Sequence, residues 1–264
     1  MNKNLLFSLI TLIGLSSFVA VKKVKTPPGT IQIGENLFVD RSEISNQSWK
    51  EFVYWKERTF GKESKDHLES MPNTGVWADK VLQEKYYLHP AYDDYPVVGI
   101  SHQQAKDYCS WRSDRVNEML YIKTNKKKAL KNNSNNVFPE VYRYRLPTES
   151  EWEQVANIAY SDKDKKKFQK QQKQYMRLTD DSIAEAQPDG EITYITSPVE
   201  TMLPNEKGIY HLIGNVSEFV AEEGIVKGGS WRHKEADVSV EQSFSYEKPS
   251  DWIGFRCICE KINE

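Results

Sequence analysis

The chain is expected to fold as a single α+β domain with little regular secondary structure. Three features point there: alternating strand patterns near the N-terminus, helical stretches that each open on a capping residue, and a C-terminal third broken by glycine into short strands and turns. The breaker cluster Thr26-Pro27-Pro28-Gly29 comes first, then Thr30 to Ile33 alternates as a strand and Leu37-Phe38-Val39 begins a second, which together read as a short hairpin. Ser45 and Asn46 offer N-caps before Trp49, Phe52, Val53 and Trp55, whose spacing places aromatic rings on one side of a helix. Pro96 to Ile100 reads as a short strand, and Ser101 caps a helix in which Ala105, Tyr108, Cys109 and Arg112 recur at helical intervals. Thr148 and Glu151 form a capping box at the head of a third helix. From about Ile192 onward, Gly224, Gly228, Gly229 and Gly254 mark tight backbone positions between short strands.

Composition narrows the function. Charged residues make up 28% of 264 residues but nearly cancel, leaving a formal net charge of -2, so no global field draws nucleic acid or an acidic membrane. Aromatic residues at 12%, with seven Trp and fourteen Tyr, suit a core of flat rings between irregular loops and exclude disorder throughout. Two stretches look inserted, about 113–142 and 161–190. Their Lys-rich segments, Lys123 to Asn136 and Asp162 to Gln174, have few aromatic stacking partners and read as solvated surface rather than as nucleic-acid patches.

The first residues read as an address. Lys3 precedes the largely apolar run Leu5 to Val21, so residues 1–21 are expected to be a signal peptide or, since Lys22 and Lys23 follow directly, an N-terminal anchor. Ala20 suits a cleavage site, Phe18 does not, and no cysteine follows for lipid attachment. The folded body is expected over 26–262, in the periplasm or on the cell envelope, with membrane association possible only through the N-terminus.

The order of motifs then identifies a resemblance. PGTIQIG from Pro28, FVDRSEISNQSWKEFV (Phe38 to Val53), YPVVGISHQQAKDYCSWR (Tyr95 to Arg112), RLPTESEWEQVA (Arg145 to Ala156), GIYHLIGNVSEF (Gly208 to Phe219), VKGGSW and IGFRC follow one another as the blocks of the formylglycine-generating-enzyme, or sulfatase-modifying-factor, family do. The resemblance implies that family's compact mixed fold, related to the C-type lectins. The insertion after Trp111, with its Arg-Val-Asn extension, is similar to the gliding-motility lipoproteins of Bacteroidetes, which are envelope scaffolds.

What the family's chemistry needs is only partly present. Formylglycine-generating enzymes bind copper(I) through two cysteines after the GGS motif, because soft thiolates select Cu(I). In this chain the two positions fall on His233 and Val238, and the family's downstream arginines fall on Gln242 and Tyr246. Copper is therefore not expected, and His233 is the single candidate for a residual ligand or base, against the bland reading of a loop histidine. The family's calcium site maps onto Gly214, Val216, Glu218 and, in place of an asparagine, His211; imidazole is a poor calcium ligand, and Glu218 could equally pair with Arg256 or Arg145. Of the three cysteines, the resemblance pairs Cys109 with Cys257 in a disulfide, leaving Cys259 two residues on along the same strand face. Glu149, Glu151 and Glu153 are not paired acids, since residues two apart do not share a helix face and the capping role explains Glu151.

The reading that follows is a non-catalytic envelope binding or scaffold protein, linked to gliding motility or secretion. It would take a peptide, a glycan or an envelope protein in the groove around Ser230, Trp231 and Arg232. The alternative is an oxygen- and metal-dependent oxidoreductase whose altered site recruits His233.

Overall fold

The computed structural model describes residues 26–125, 138–158, 195–234 and 237–262. The N-terminal address at 1–21 and the insertion at about 161–190 lie outside them. Among the described residues no helix is long and apolar enough to cross a membrane.

Two four-stranded sheets form the body. In the first, β1 (Thr30–Gln32) and β2 (Leu37–Asp40) make the expected hairpin with Ile31 opposite Val39. β2 then pairs with β8 (Ile258–Lys261), which also pairs with β3 (Tyr142–Arg145), so the two ends of the domain close on each other in the order β1-β2-β8-β3. The second sheet runs β6 (Ser243–Ser245), β5 (Ile225–Lys227), β4 (Ser217–Phe219), β7 (Ile253–Gly254), with β4 and β7 parallel.

Each long helix starts where its cap lies. Ser45 accepts from the Ser48 N–H at the head of α1 (Asn46–Phe60). Short helices follow at α2 (Lys65–Leu68) and α3 (Lys80–Lys85). Ahead of α4 (His102–Asn125), Ser101 Oγ accepts from Gln104 N at 3.2 Å while Ser101 N donates to Gln104 Oε1 at 2.7 Å, a reciprocal box that satisfies two otherwise orphaned donors. The Thr148–Glu151 box forms as expected at α5 (Glu149–Ala156).

Three sequence expectations need correction. Pro96 to Ile100 is not a strand. Pro96 makes one isolated bridge with Ser45, and the next donors go to separate partners, Val97 N to Ile44 O and Gly99 N to Ser250 O. Gly99 breaks the extended run at φ +73°, where a Cβ would lie 2.4 Å from the Asn73 carbonyl oxygen. Trp55 does not join the buried face of Trp49, Phe52 and Val53. At about 100° per residue, six residues from Trp49 is a third of a turn off that face, and the ring sits half-exposed against Phe60, with the Arg115 guanidinium 4.9 Å from its centroid. Residues 113–125 of the expected loop insertion continue α4, which runs for 24 residues. They do so because they close a sheet edge: Asn117 Oδ1 accepts from Val141 N and Tyr142 N, Asn117 Nδ2 donates to Tyr142 O, and Ser113 Oγ accepts from Tyr144 N.

The core is aromatic, as composition implies. Trp49 stacks on Tyr108 at 5.4 Å and meets Phe52 and Phe255 edge-on. Alternation along the last strand puts Phe255, Cys257 and Cys259 in this main core and Ile258 in a second cluster behind it. Cys109 of α4 lies against Cys257, with the two Sγ atoms 3.4 Å apart, so the expected partners are adjacent, here as buried unlinked thiols, and Cys259 is buried two residues further on. Burial raises the Cys257 thiol well above the ordinary range, with the Cys109 sulfur beside it adding to the shift.

Candidate functional site

The motifs that carry the family resemblance meet at one buried ion pair. Glu218, on β4, and Arg256, just before β8, are both almost wholly buried. Arg256 Nε donates to Glu218 Oε2 at 2.7 Å and its Nη2 to Oε1, while the Trp152 indole N–H donates to Oε2 at 2.8 Å. Arg256 spends its remaining donors on the carbonyls of Asp40, Tyr210 and His211. A paired and fully hydrogen-bonded carboxylate is the form in which a buried charge is tolerated.

That geometry corrects the calcium expectation. Gly214, Val216, Glu218 and His211 are close in the chain, but both Glu218 oxygens are taken by a guanidinium and an indole N–H, and the His211 carbonyl accepts from Arg256. The guanidinium supplies the positive charge a cation would have brought, and the His211 ring turns away to Thr201 Oγ1 at 3.3 Å. The donor set does not fit Ca²⁺.

Around this centre two further ion networks fix α5. Arg145 forks onto both oxygens of Glu151 at 2.7 Å and also binds Glu260. Lys227, wholly buried on β5, reaches Glu153 at 2.7 Å and Glu149 at 3.3 Å. All three glutamates of this helix are therefore structural.

The loop after β5 is where the family's chemistry would lie. Gly228, at φ +89°, leaves room for the Leu212 carbonyl and the Trp152 ring, which a Cβ would approach to 2.7 and 2.9 Å. Gly229 leaves room for Val238, whose Cγ2 would lie 2.6 Å from an added Cβ. The second copper position is thus an isopropyl group pressed onto the glycine. At the first, His233 Nδ1 accepts from Ser230 N at 3.1 Å and lies 2.8 Å from Ser230 Oγ, which also accepts from Arg232 N. A backbone N–H aimed at Nδ1 fixes it as the acceptor, so the proton sits on Nε2. The ring packs 4.1 Å from Phe244 and 5.1 Å from Trp252 between centroids. Burial holds its pKa below the ordinary value, partly offset by Asp237.

The expected groove residues are brought together, with Ser230 turned inward, Trp231 half-buried and Arg232 exposed. Ser230 is buried, Trp231 stacks on Trp77 and donates to Asp251 O at 3.1 Å, and Arg232 lies over Trp231 while forking onto Asp251. The open surface is one step further on, a concavity of about 420 Å³ lined by Asp237, Val238, Ser239, Gln242 and Phe244. It therefore holds two of the positions where the family's copper and arginine residues fall, Val238 and Gln242. Tyr246, the other arginine position, packs against Phe219 instead.

Sequence reading missed Glu43, which is buried beside the central pair. Desolvation raises its carboxyl to about 8, opposed by Arg256 and reinforced by Glu218, and Asn215 Nδ2 donates to its Oε1 at 2.9 Å. Asn215 sits at φ +59°, and its Oδ1 also accepts from Ser197 N. The Asn of GNVSEF was a readable signal for a left-handed position. Nothing in the local sequence marks Glu43 as buried.

A buried Glu–Arg–Trp centre joining three motifs, with a double-glycine loop wedged against it, defines a formylglycine-generating-enzyme-like domain. The chain belongs to the family described as the sulfatase-modifying factor enzyme 1-like domain, whose pattern matches residues 10–261. It is 25% identical over 180 residues to a Bos taurus protein described as "Inactive C-alpha-formylglycine-generating enzyme 2", a match covering 62% of this chain and 50% of that protein. The chain thus spans about half the length of the curated relative it matches. Among solved structures it is similar to PvdO from Pseudomonas aeruginosa (18% identity, TM-score 0.46, covering 86% of this chain and 80% of that one). It is also similar to Treponema denticola variable protein 1 (16% identity, TM-score 0.47, covering 90% and 92%) and to CarF (16% identity, TM-score 0.45, covering 89% and 96%).

Proposed function

We propose that this chain is a non-catalytic form of the domain, exported to the cell envelope, where it binds a peptide, glycan or partner protein in the concavity beside Val238 and Gln242. The observation that carries the reading is the fate of the two copper positions. Copper(I) chemistry needs soft thiolates, whereas here one position is a neutral imidazole held by Ser230 and the other an isopropyl group packed on Gly229. That the Bos taurus relative is itself described as inactive supports the same reading.

The test is incubation of the purified chain with a CxPxR peptide, copper and oxygen, followed by mass spectrometry. The peptide should come through unmodified; conversion of its cysteine to formylglycine would remove the proposal in favour of an altered oxidoreductase. Export has its own check. In an oxidising compartment the adjacent Cys109 and Cys257 thiols should be linked, so non-reducing peptide mapping of protein taken from cells should find that pair joined, and a free Cys109 would contradict export. Any link to gliding motility rests on the likeness of the insertion after Trp111, and co-purification from the envelope tests it.

A further inference from the structure

An open sheet edge is a row of unpaired N–H and C=O groups, and folds cover such edges because any extended chain can pair with them. Among the described residues, three of the four edge strands are covered. β3 is closed by Asn117 and Ser113 of α4. On β1, Thr30 N donates back to the Pro27 carbonyl at 3.2 Å, and Lys207 Nζ donates to the Gln32 carbonyl at 3.5 Å. Both residues of β7 are buried. β6 is the exception.

Its register fixes which of its backbone groups are unused. Tyr246 N donates to Gly224 O at 3.2 Å, and Phe244 stands opposite Val226. In an antiparallel ladder, hydrogen-bonded pairs alternate with pairs whose N–H and C=O point away from the partner strand. Phe244 and Tyr246 therefore turn their groups to β5, and Ser243 and Ser245 turn theirs outward. The Ser243 carbonyl accepts from Gln242 Nε2 at 2.8 Å. That leaves the Ser243 N–H and both backbone groups of Ser245, the exposed residue of the strand, without a partner among the described residues.

These groups select their own partner. They lie along one line, two residues or roughly 6.8 Å apart, the repeat at which an extended backbone presents its own N–H and C=O. The edge also runs into the concavity of about 420 Å³, which is lined by Phe244 of the strand, Gln242 just before it, and Val238. A chain laid along β6 would turn alternate side chains to the Phe244 face, where Val238 and Phe244 offer an apolar wall.

We propose that β6 is a docking edge for an extended segment of a partner polypeptide, which joins the second sheet as a fifth strand and sets an apolar side chain against Val238 and Phe244. The side-chain contact rests on the binding role proposed above for that concavity; the backbone pairing rests on the register alone.

Random linear peptides displayed on phage and selected against the full chain supply the probe. The strongest binder is then synthesised with a single backbone N-methyl group at each position in turn, and each version is titrated. Strand addition predicts an alternation: methylation at every second residue, where the N–H faces the edge, should weaken binding about tenfold, the worth of one hydrogen bond, and methylation in between should be tolerated. Ser245→Pro removes only an outward N–H, at an edge position where proline is accepted. It should weaken binding by a similar factor and leave the melting temperature unchanged. Ser239→Trp, at an exposed position lining the concavity, separates the edge from the concavity. Alternation that survives this variant supports docking on the edge without the concavity, whereas a peptide that shows no alternation and is lost in Ser239→Trp binds the concavity and overturns strand addition. Failure to select any peptide, or binding unchanged in Ser245→Pro, overturns it as well.

Discussion

The buried centre at Glu218 and the loop from Gly228 to Tyr246 sit next to each other and are built on opposite terms. In the first, the recognisable motifs are bonded to one another: RLPTESEW to GNVSEF through Trp152 and Glu218, GNVSEF to GFRC through Glu218 and Arg256. In the second, the glycines that shape the loop are present but the residues that would do chemistry are His233, Val238, Gln242 and Tyr246. The motifs by which the family is recognised are joints of the fold. Their presence testifies to the frame and says little about catalysis, so the two regions should respond differently to mutation.

The largest effect belongs to the centre. Arg256→Leu strands a fully buried carboxylate, and removing one partner of such a pair costs about 3–5 kcal/mol. At roughly 2–4 °C per kcal/mol for a domain of this size, the melting temperature should fall by about 6–20 °C in a circular-dichroism melt. Glu218→Leu combined with Arg256→Leu should recover much of that loss, because a pair replaced by apolar groups leaves no charge behind. Failure to recover would mean that the bonds to the Asp40, Tyr210 and His211 carbonyls matter more than the charges.

Next come the glycines. Gly228→Ala meets the Leu212 carbonyl at 2.7 Å in a left-handed backbone and should cost roughly 2 kcal/mol or more. Gly224→Ala, also left-handed at φ +91° but with nothing within 4 Å, should cost about 1 kcal/mol. Equal losses would show that contact with the frame is not what the double-glycine loop serves.

Glu43→Gln separates charge from shape. The folded state raises this carboxyl from 4.5 to about 8, so it binds more protons than the unfolded chain between those values, and its contribution to stability is lost as pH rises through that window. The variant should match the native protein near pH 4 and exceed it by a few degrees at pH 8. The smallest effect is expected at His233. Its depressed pKa makes the native fold lose stability as pH falls below about 6.5, and His233→Ala should flatten that slope for a cost of about 1 kcal/mol.

Legibility in the sequence divides along the same line. Caps and periodicity located the hairpin and all three long helices, because those signals are local. Gly99 defeated the expected strand at Pro96 to Ile100 through a contact with Asn73, some 26 residues away, that no window contains. The motif order revealed the family, and counting from GGS put the expected copper positions on His233 and Val238. What stayed hidden was long-range: whether Glu218 faced a cation or Arg256, and the burial of Glu43 beside Asn215, 172 residues apart. The shared anchoring of Trp231 and Arg232 on Asp251 was equally unreadable, since that partner lies some 20 residues further along the chain.

The most direct test of the division between frame and chemistry is a copper(I) competition titration of the purified, reduced chain beside its His233→Ala variant. Imidazole and isopropyl in place of two thiolates should leave native protein and variant alike with no stoichiometric copper. One tightly held copper per native chain, lost in His233→Ala, would contradict it and place working metal chemistry in the loop.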